Sequence, residues 1–116
     1  LVTKEETLMG RYITSTLSYA TTVVTTGTSY QAKVNDRVMC TAGSITITLP
    51  AVSGLLVGDT VQIIDVTGIA GTNNITVARN GSEIQNVAEN LTIDINNSAP
   101  VLVYTGVTYG WVLTGS

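Results

Sequence analysis

Cys40 is the single thiol of the chain, and there is no histidine to activate it. A nucleophilic site needs a nucleophile, a base and an orienting group. The serines have only Lys4 and Lys33 as non-imidazole bases, and neither lysine stands in a motif of that chemistry. A histidine triad, an imidazole metal site and an intrachain disulfide are therefore all excluded. Cys40 lies beside Met39 in an apolar stretch, where a free cysteine behaves as a small hydrophobe, so it is expected in the core.

The carboxylates Asp36, Asp59, Asp65, Glu83, Glu89 and Asp94 are the groups from which a glycoside-cleaving pair would have to be drawn. They are scattered where turns and strand ends are expected, and acidic residues there ordinarily shape turns and aid solubility. Asp94, Asn96 and Asn97 offer oxygens for calcium, but no D-x-D-x-D-G run is present. The glycine loops 54–58 and 68–71 lack the G-K-[ST] step and the following helix of a phosphate cradle. Five Lys+Arg against eight Asp+Glu leave a net charge of −3, which makes nucleic acid an improbable partner. No apolar run reaches the ~18–20 residues of a membrane span, so no membrane partner is expected. No catalytic residue, metal or cofactor is assigned, and the reading is non-enzymatic.

Trp111, with Tyr104 and Tyr109 nearby in sequence, has two readings. It closes the core or a subunit interface with its indole N–H bonded at the rim, or it forms a stacking platform for a sugar. On the second reading Tyr104, Tyr109 and Trp111 are the glycan contacts. Four Asn-x-Ser/Thr sequons begin at Asn74, Asn80, Asn90 and Asn96, a number that an Asn-, Ser- and Thr-rich chain reaches with little help.

The elements that must position these residues are strands. Valine, isoleucine and threonine account for 45 of the 116 residues. Such side chains are stiff at χ1 and suit a pleated, half-buried surface. Strict alternation marks 30–34, running on through 37–40, and 45–49, which Pro50 ends. Residues 60–66 form a more continuous apolar strand, expected to be central. Further strands follow at 75–79, closed by the tight-turn pair Asn80-Gly81, then at 91–95, 101–105 and 111–114. Seven or eight short strands with frequent turns predict an all-β fold, a small antiparallel β-sandwich or jelly-roll-like domain over 29–116.

Residues 1–28 differ. Thr3 and Glu6 have capping-box spacing before a short segment that Gly10 would end, a match brief enough to arise by chance. Beyond Gly10 the segment is rich in threonine, serine and tyrosine and reads as an extended N-terminal arm with little to bury on its own. Charged residues make up only 11% of the chain, against roughly 25% in an average soluble domain. A small domain so poor in charge is expected to have part of its surface covered, most simply by copies of itself. Leu8, Met9, Tyr12, Ile13, Leu17 and Tyr19 are the arm residues expected to supply an anchor or interface.

The order of motifs from Tyr30 onward resembles a small β module of tailed-bacteriophage virion surface proteins. The features that carry the likeness are Leu49-Pro50 before a loop, Gly58-Asp59 before an aliphatic strand, and the Ala-Gly-Thr-Asn-Asn-Ile-Thr turn at 70–76. Asn80-Gly81 and the terminal Gly110-Trp111 strand complete it, and residues 1–28 are left unaccounted for. The resemblance implies a structural, homotrimeric protein of the virion surface, assembled in the bacterial cytoplasm. It would be a capsid decoration or cement protein, a head fibre, or part of a tail fibre or tailspike. Its partners would be further copies of itself and the major capsid protein or a tail adaptor, with the arm as anchor. The alternative implied is the host-receptor or glycan-binding tip of a tail fibre or tailspike.

Overall fold

A computed structural model describes residues 21–114 of the chain. The arm residues Leu8, Met9, Tyr12, Ile13, Leu17 and Tyr19 lie outside the described residues, as does the capping-box segment. The described part is all-β: β1 (Thr22–Thr26), β2 (Tyr30–Gln31), β3 (Asp36–Cys40), β4 (Thr46–Thr48), β5 (Thr60–Asp65), β6 (Ile75–Ala78), β7 (Leu91–Ile93), β8 (Val101–Tyr104) and β9 (Trp111–Thr114). One sheet has the order β1-β3-β5-β8-β9 and the other the order β2-β4-β6-β7.

Successive strands up to β6 alternate between the two sheets, so the chain winds as a flattened coil. Each return to a sheet then runs in the same direction. The pairs β1–β3, β3–β5, β2–β4 and β4–β6 are parallel. Only the last three strands break the pattern. Strand β7 turns back antiparallel on β6, while β8 and β9 form an antiparallel hairpin on β5. The expected two-sheet, all-β fold is therefore present, but the expectation of antiparallel pairing is corrected to mixed sheets. A strand read from alternation shows which residues share a face, not which strand it pairs with.

Two further expectations change. The single strand read through 30–40 is two strands on different sheets, separated by a turn in which Asn35 adopts φ 65°. The arm boundary drawn at residue 28 falls inside the fold, because β1 pairs with β3 over five residues. Strand β5 is central in its sheet, as its continuous apolar run suggested.

The core fills the space between the sheets. Val38, Cys40, Val61, Ile63, Leu102 and Trp111 come from one sheet, and Ile47, Leu49, Ile75 and Val77 from the other side. Parallel winding stacks like on like: Val24, Val38 and Ile63 are register neighbours, as are Tyr30, Ile47 and Val77. Where corners stack, side chains must vanish. A Cβ on Gly43 would lie 2.2 Å from the Asn73 carbonyl oxygen of the next corner, so only glycine fits.

Buried aspartates hold these corners. Asp36 accepts from the Tyr30 hydroxyl and the Lys33 amide, each at 2.8 Å. Burial, helped by that bond and by the nearby carboxylate charge, keeps the Tyr30 phenol above its ordinary pKa. Asp65 is 1% exposed and accepts from the amides of Gly68, Ala70 and Asn97 at 2.9–3.1 Å. Burial pushes its pKa up, but these amide donors outweigh it and hold the carboxyl below its usual range. The carboxylate thereby ties the 66–71 corner to the 94–98 turn.

Candidate assembly surface and loop-end cavity

The three aromatic residues singled out as glycan contacts are not together at the surface. Trp111 is 0% exposed and Tyr104 4% exposed, their ring centroids 5.3 Å apart at an interplanar angle of 60°. This tilted pair is part of the core. Tyr109, 59% exposed in the loop between β8 and β9, is the one ring of the three available to a ligand. The stacking role for Trp111 and Tyr104 is thus corrected: the core claims both. The expected rim hydrogen bond is also missing, since the indole Nε1 is buried without a partner among the described residues.

Cys40 sits in the core, where burial and, to a lesser extent, the Asp65 carboxylate push its thiol up to about 11. A thiol so rarely ionised is a poor nucleophile. Asp36, Asp59 and Asp65 all spend carboxylate oxygens on backbone amides; that of Asp59 accepts from Leu56 at 2.8 Å. These residues build turns, as their positions suggested, but Asp36 and Asp65 are buried rather than solvated. Among the described residues no three Cys, Asp or Glu side chains gather into a group that could hold a metal ion.

The outward faces of the two sheets differ sharply. On the four-stranded sheet Thr46, Thr76 and Thr92 form one row across three strands, and Gln31, Thr48 and Ala78 another. On the five-stranded sheet the residues alternating with the core are Val23, Met39, Ile64, Val101, Val103 and Val112, joined by threonines, Gln62 and Arg37. Arg37 is the sole charge on that face, and its Nε donates to Gln62 at 2.8 Å. An aliphatic outer face is what a sheet carries when something covers it.

The edges of the five-stranded sheet differ as well. The β9 edge is occupied: Trp111 N donates to Glu83 O, Gln85 N to Trp111 O, and Leu113 N to the Gln85 side chain. To do so the chain takes positive φ at Gln85 (54°) and Asn86 (66°). The opposite edge is β1, Thr-Val-Val-Thr-Thr, with no charge, proline or bulge, and Val23 is 57% exposed. Proteins usually protect such edges by one of those devices, because a bare β-branched strand recruits another. Sequence reasoning missed this surface because it assigned 22–26 to the arm. The signal was present in the unbroken β-branched run itself.

At one end of the domain the loops 50–58, 80–83 and 105–110 converge on a cavity of about 120 Å³. Val52, Gly81, Ser82, Glu83, Tyr104, Gly106, Val107 and Gly110 line it. Around it the exposed large hydrophobics Leu56, Val57, Val107 and Tyr109 stand on the 50–58 and 105–110 loops. Gly110 is fixed by close approach: a Cβ there would lie 2.0 Å from the Glu83 carbonyl oxygen, and its φ is 71°.

No protein-family model matches the chain, and no curated protein sequence matches it.

Proposed function

We propose that this chain is a non-enzymatic structural module of a bacteriophage virion, a homotrimer at the particle surface that decorates or stabilises a capsid or forms part of a fibre. Residues ahead of β1 serve as its attachment to the major capsid protein or a tail adaptor, after assembly in the bacterial cytoplasm. The resemblance of 30–114 to virion surface modules suggests this reading. The observation that carries it is an aliphatic outer face on the same sheet as a β1 edge to which no described strand pairs.

Magnitude shapes the proposal. Five strands about 4.8 Å apart and about five residues long present a face of roughly 300 Å². A stable interface takes about 800 Å² from each partner. The sheet face therefore serves as an apolar centre, with loops and the N-terminal segment supplying the remainder. Copies held on a repeating shell also gain from mass action, since occupancy of a site that only the assembled particle offers stabilises both partners.

Native mass spectrometry of the full chain at micromolar concentration tests the reading. A trimer is expected, and a monomer at all concentrations up to about 100 µM overturns it. Imaging of particles with a tag on this chain then distinguishes head from tail.

A further inference from the structure

The winding of the chain puts its first turn at one end of the coil. Strands β1 and β2 make that turn, one on each sheet, and each is an end strand of its sheet. At the other end the coil is closed by strands that run against it, β7 on β6 and the β8–β9 hairpin on β5. Stacked turns need a cap at both ends, because the outer side of a last turn otherwise exposes strand edges and the interior behind them. No described strand caps the β1–β2 end, and burial thins out there. Val38 and Ile63 are fully buried, whereas their stacking neighbour Val24 is only half-buried. Tyr30 is likewise half-buried beside the fully buried stack of Ile47 and Val77. The apolar stacks of both sheets stop one layer short.

Length, pattern and charge narrow the occupant. The Thr22 amide donates to the Asn35 carbonyl, and the Thr26 carbonyl accepts from the Thr41 amide. Successive residues of a strand turn their N–H and C=O groups to opposite sides, so Val24 also faces β3 while Val23 and Thr25 point theirs away from it. A parallel strand can take them only after its chain has crossed over through the other sheet, a connection of about a dozen residues or more. The shortest turn of this coil is fourteen residues, from Thr22 to its partner Asp36. Residues 1–20 lead directly into β1 and contain enough chain for one more such turn. Counting back fourteen residues sets Leu8 and Tyr12 beside the inward positions Thr22 and Thr26. Leu17-Ser18-Tyr19 repeats the apolar-polar-apolar order of Tyr30-Gln31-Ala32. Residues 12–20 carry no charge, and neither do β1 and β2. A short tether holds a segment at an effective concentration of ~1 mM, far above that of a second copy in a micromolar solution.

We infer that residues 8–19 form one further turn of the coil on the same chain and cap its β1–β2 end. Residues 8–12 pair in parallel with β1, and Leu17 and Tyr19 cover Tyr30 and Ala32. The inference does not rest on the assembly reading, which keeps the aliphatic outer face and the residues ahead of the added turn for its contacts. A trimer without this cap defeats only the inference, and a capped monomer defeats only the other.

The test is amide hydrogen exchange of the full chain, read residue by residue by NMR. The Val23 and Thr25 amides should exchange roughly 100-fold more slowly than in an unstructured chain, and should show nuclear Overhauser contacts to residues 8–12. Tyr12→Asp combined with Leu17→Asp should return these two amides to fast exchange. The Val24 amide, which faces β3, should stay protected in that variant and so report that the domain is still folded. In a mixture of differently labelled chains, the contacts between β1 and residues 8–12 should arise only within one chain. Contacts between chains would assign the added strand to a neighbouring copy and overturn the inference. Fast exchange at Val23 and Thr25 in the parent chain, or protection that the double variant leaves unchanged, overturns it as well.

Discussion

The two sheets share one core yet present opposite exteriors. Their inward faces are interchangeable in character, Val38 and Ile63 on one side and Ile47 and Val77 on the other, all fully buried. Outward, the four-stranded sheet shows a threonine row and the five-stranded sheet shows valine, isoleucine and methionine. Burial between the sheets explains the first similarity, since strand residues facing the core are apolar except where, as at Asp36 and Asp65, hydrogen bonds satisfy the polar group. Nothing among the described residues explains the second difference. On the assembly proposed above, the threonines meet water and the aliphatics meet a further protein surface. The edges follow the same division, with β9 sealed by the 83–87 segment and β1 unpaired on its outer side among the described residues.

This contrast can be broken at several levels, and the inner faces come first. Trp111→Ala and Ile47→Ala should each destabilise the domain strongly, by about 3–5 and 2–5 kcal/mol respectively. Urea unfolding measures both, and near-neutral behaviour of either would mean that the core is not shared. Asp65→Asn, which removes the carboxylate from the junction of two corners, should cost about 2–4 kcal/mol. The pH dependence has a definite sign. The folded Asp65 carboxyl is held below its ordinary pKa, so as the pH drops below about 4 the unfolded chain takes up the proton first. Stability contributed by Asp65 is therefore present above that pH and declines as the pH falls through the folded value. Unfolding curves between pH 2 and 7 should show this decline in the parent chain and a flatter profile in Asp65→Asn.

The outer faces give the sharpest contrast. Ile64→Lys on the five-stranded sheet should weaken self-association about tenfold or more, whereas Thr76→Lys on the other sheet should leave it unchanged. Sedimentation velocity across a dilution series measures both, and equal effects would erase the distinction between the faces. The smallest effect is expected at Cys40, where a thiol that only fills space tolerates Cys40→Val with less than about 1.5 kcal/mol lost. Thermal unfolding of that variant should show a shift of only a few degrees.

Much of this was legible along the chain. Alternation at 45–49 and the apolar runs at 60–66 and 101–105 located β4, β5 and β8. Their inward positions include Ile47, Val61, Ile63, Leu102 and Tyr104 together with the polar Asp65. The strand read over 91–95, by contrast, stops at Ile93 and leaves Ile95 exposed. Asn80-Gly81 marked a turn that takes φ 51° and 88°. Cys40 could be placed in the core because no partner existed to make it reactive. The run 30–40 was misread as continuous because its alternation passes through the turn at Lys33–Asn35 without a break. Tyr104 and Trp111 were ambiguous because an aromatic near a loop has the same sequence signature whether its ring points in or out.

Composition and periodicity alone determined that the described domain is all-β, that its strands are short and two-faced, and that imidazole chemistry is absent. Those properties belong to single residues and their near neighbours, so one dimension suffices to carry them. Pairing direction, the winding between two sheets, the edge position of β1 and the cavity beneath the loops arise only in three dimensions. Each depends on which distant strands meet, and strands with the same alternating Thr, Ile and Val pattern satisfy local rules equally well in several arrangements. Stacking of corners, as at Gly43 against Asn73, and burial of Asp65 beneath two loops are what select one of them.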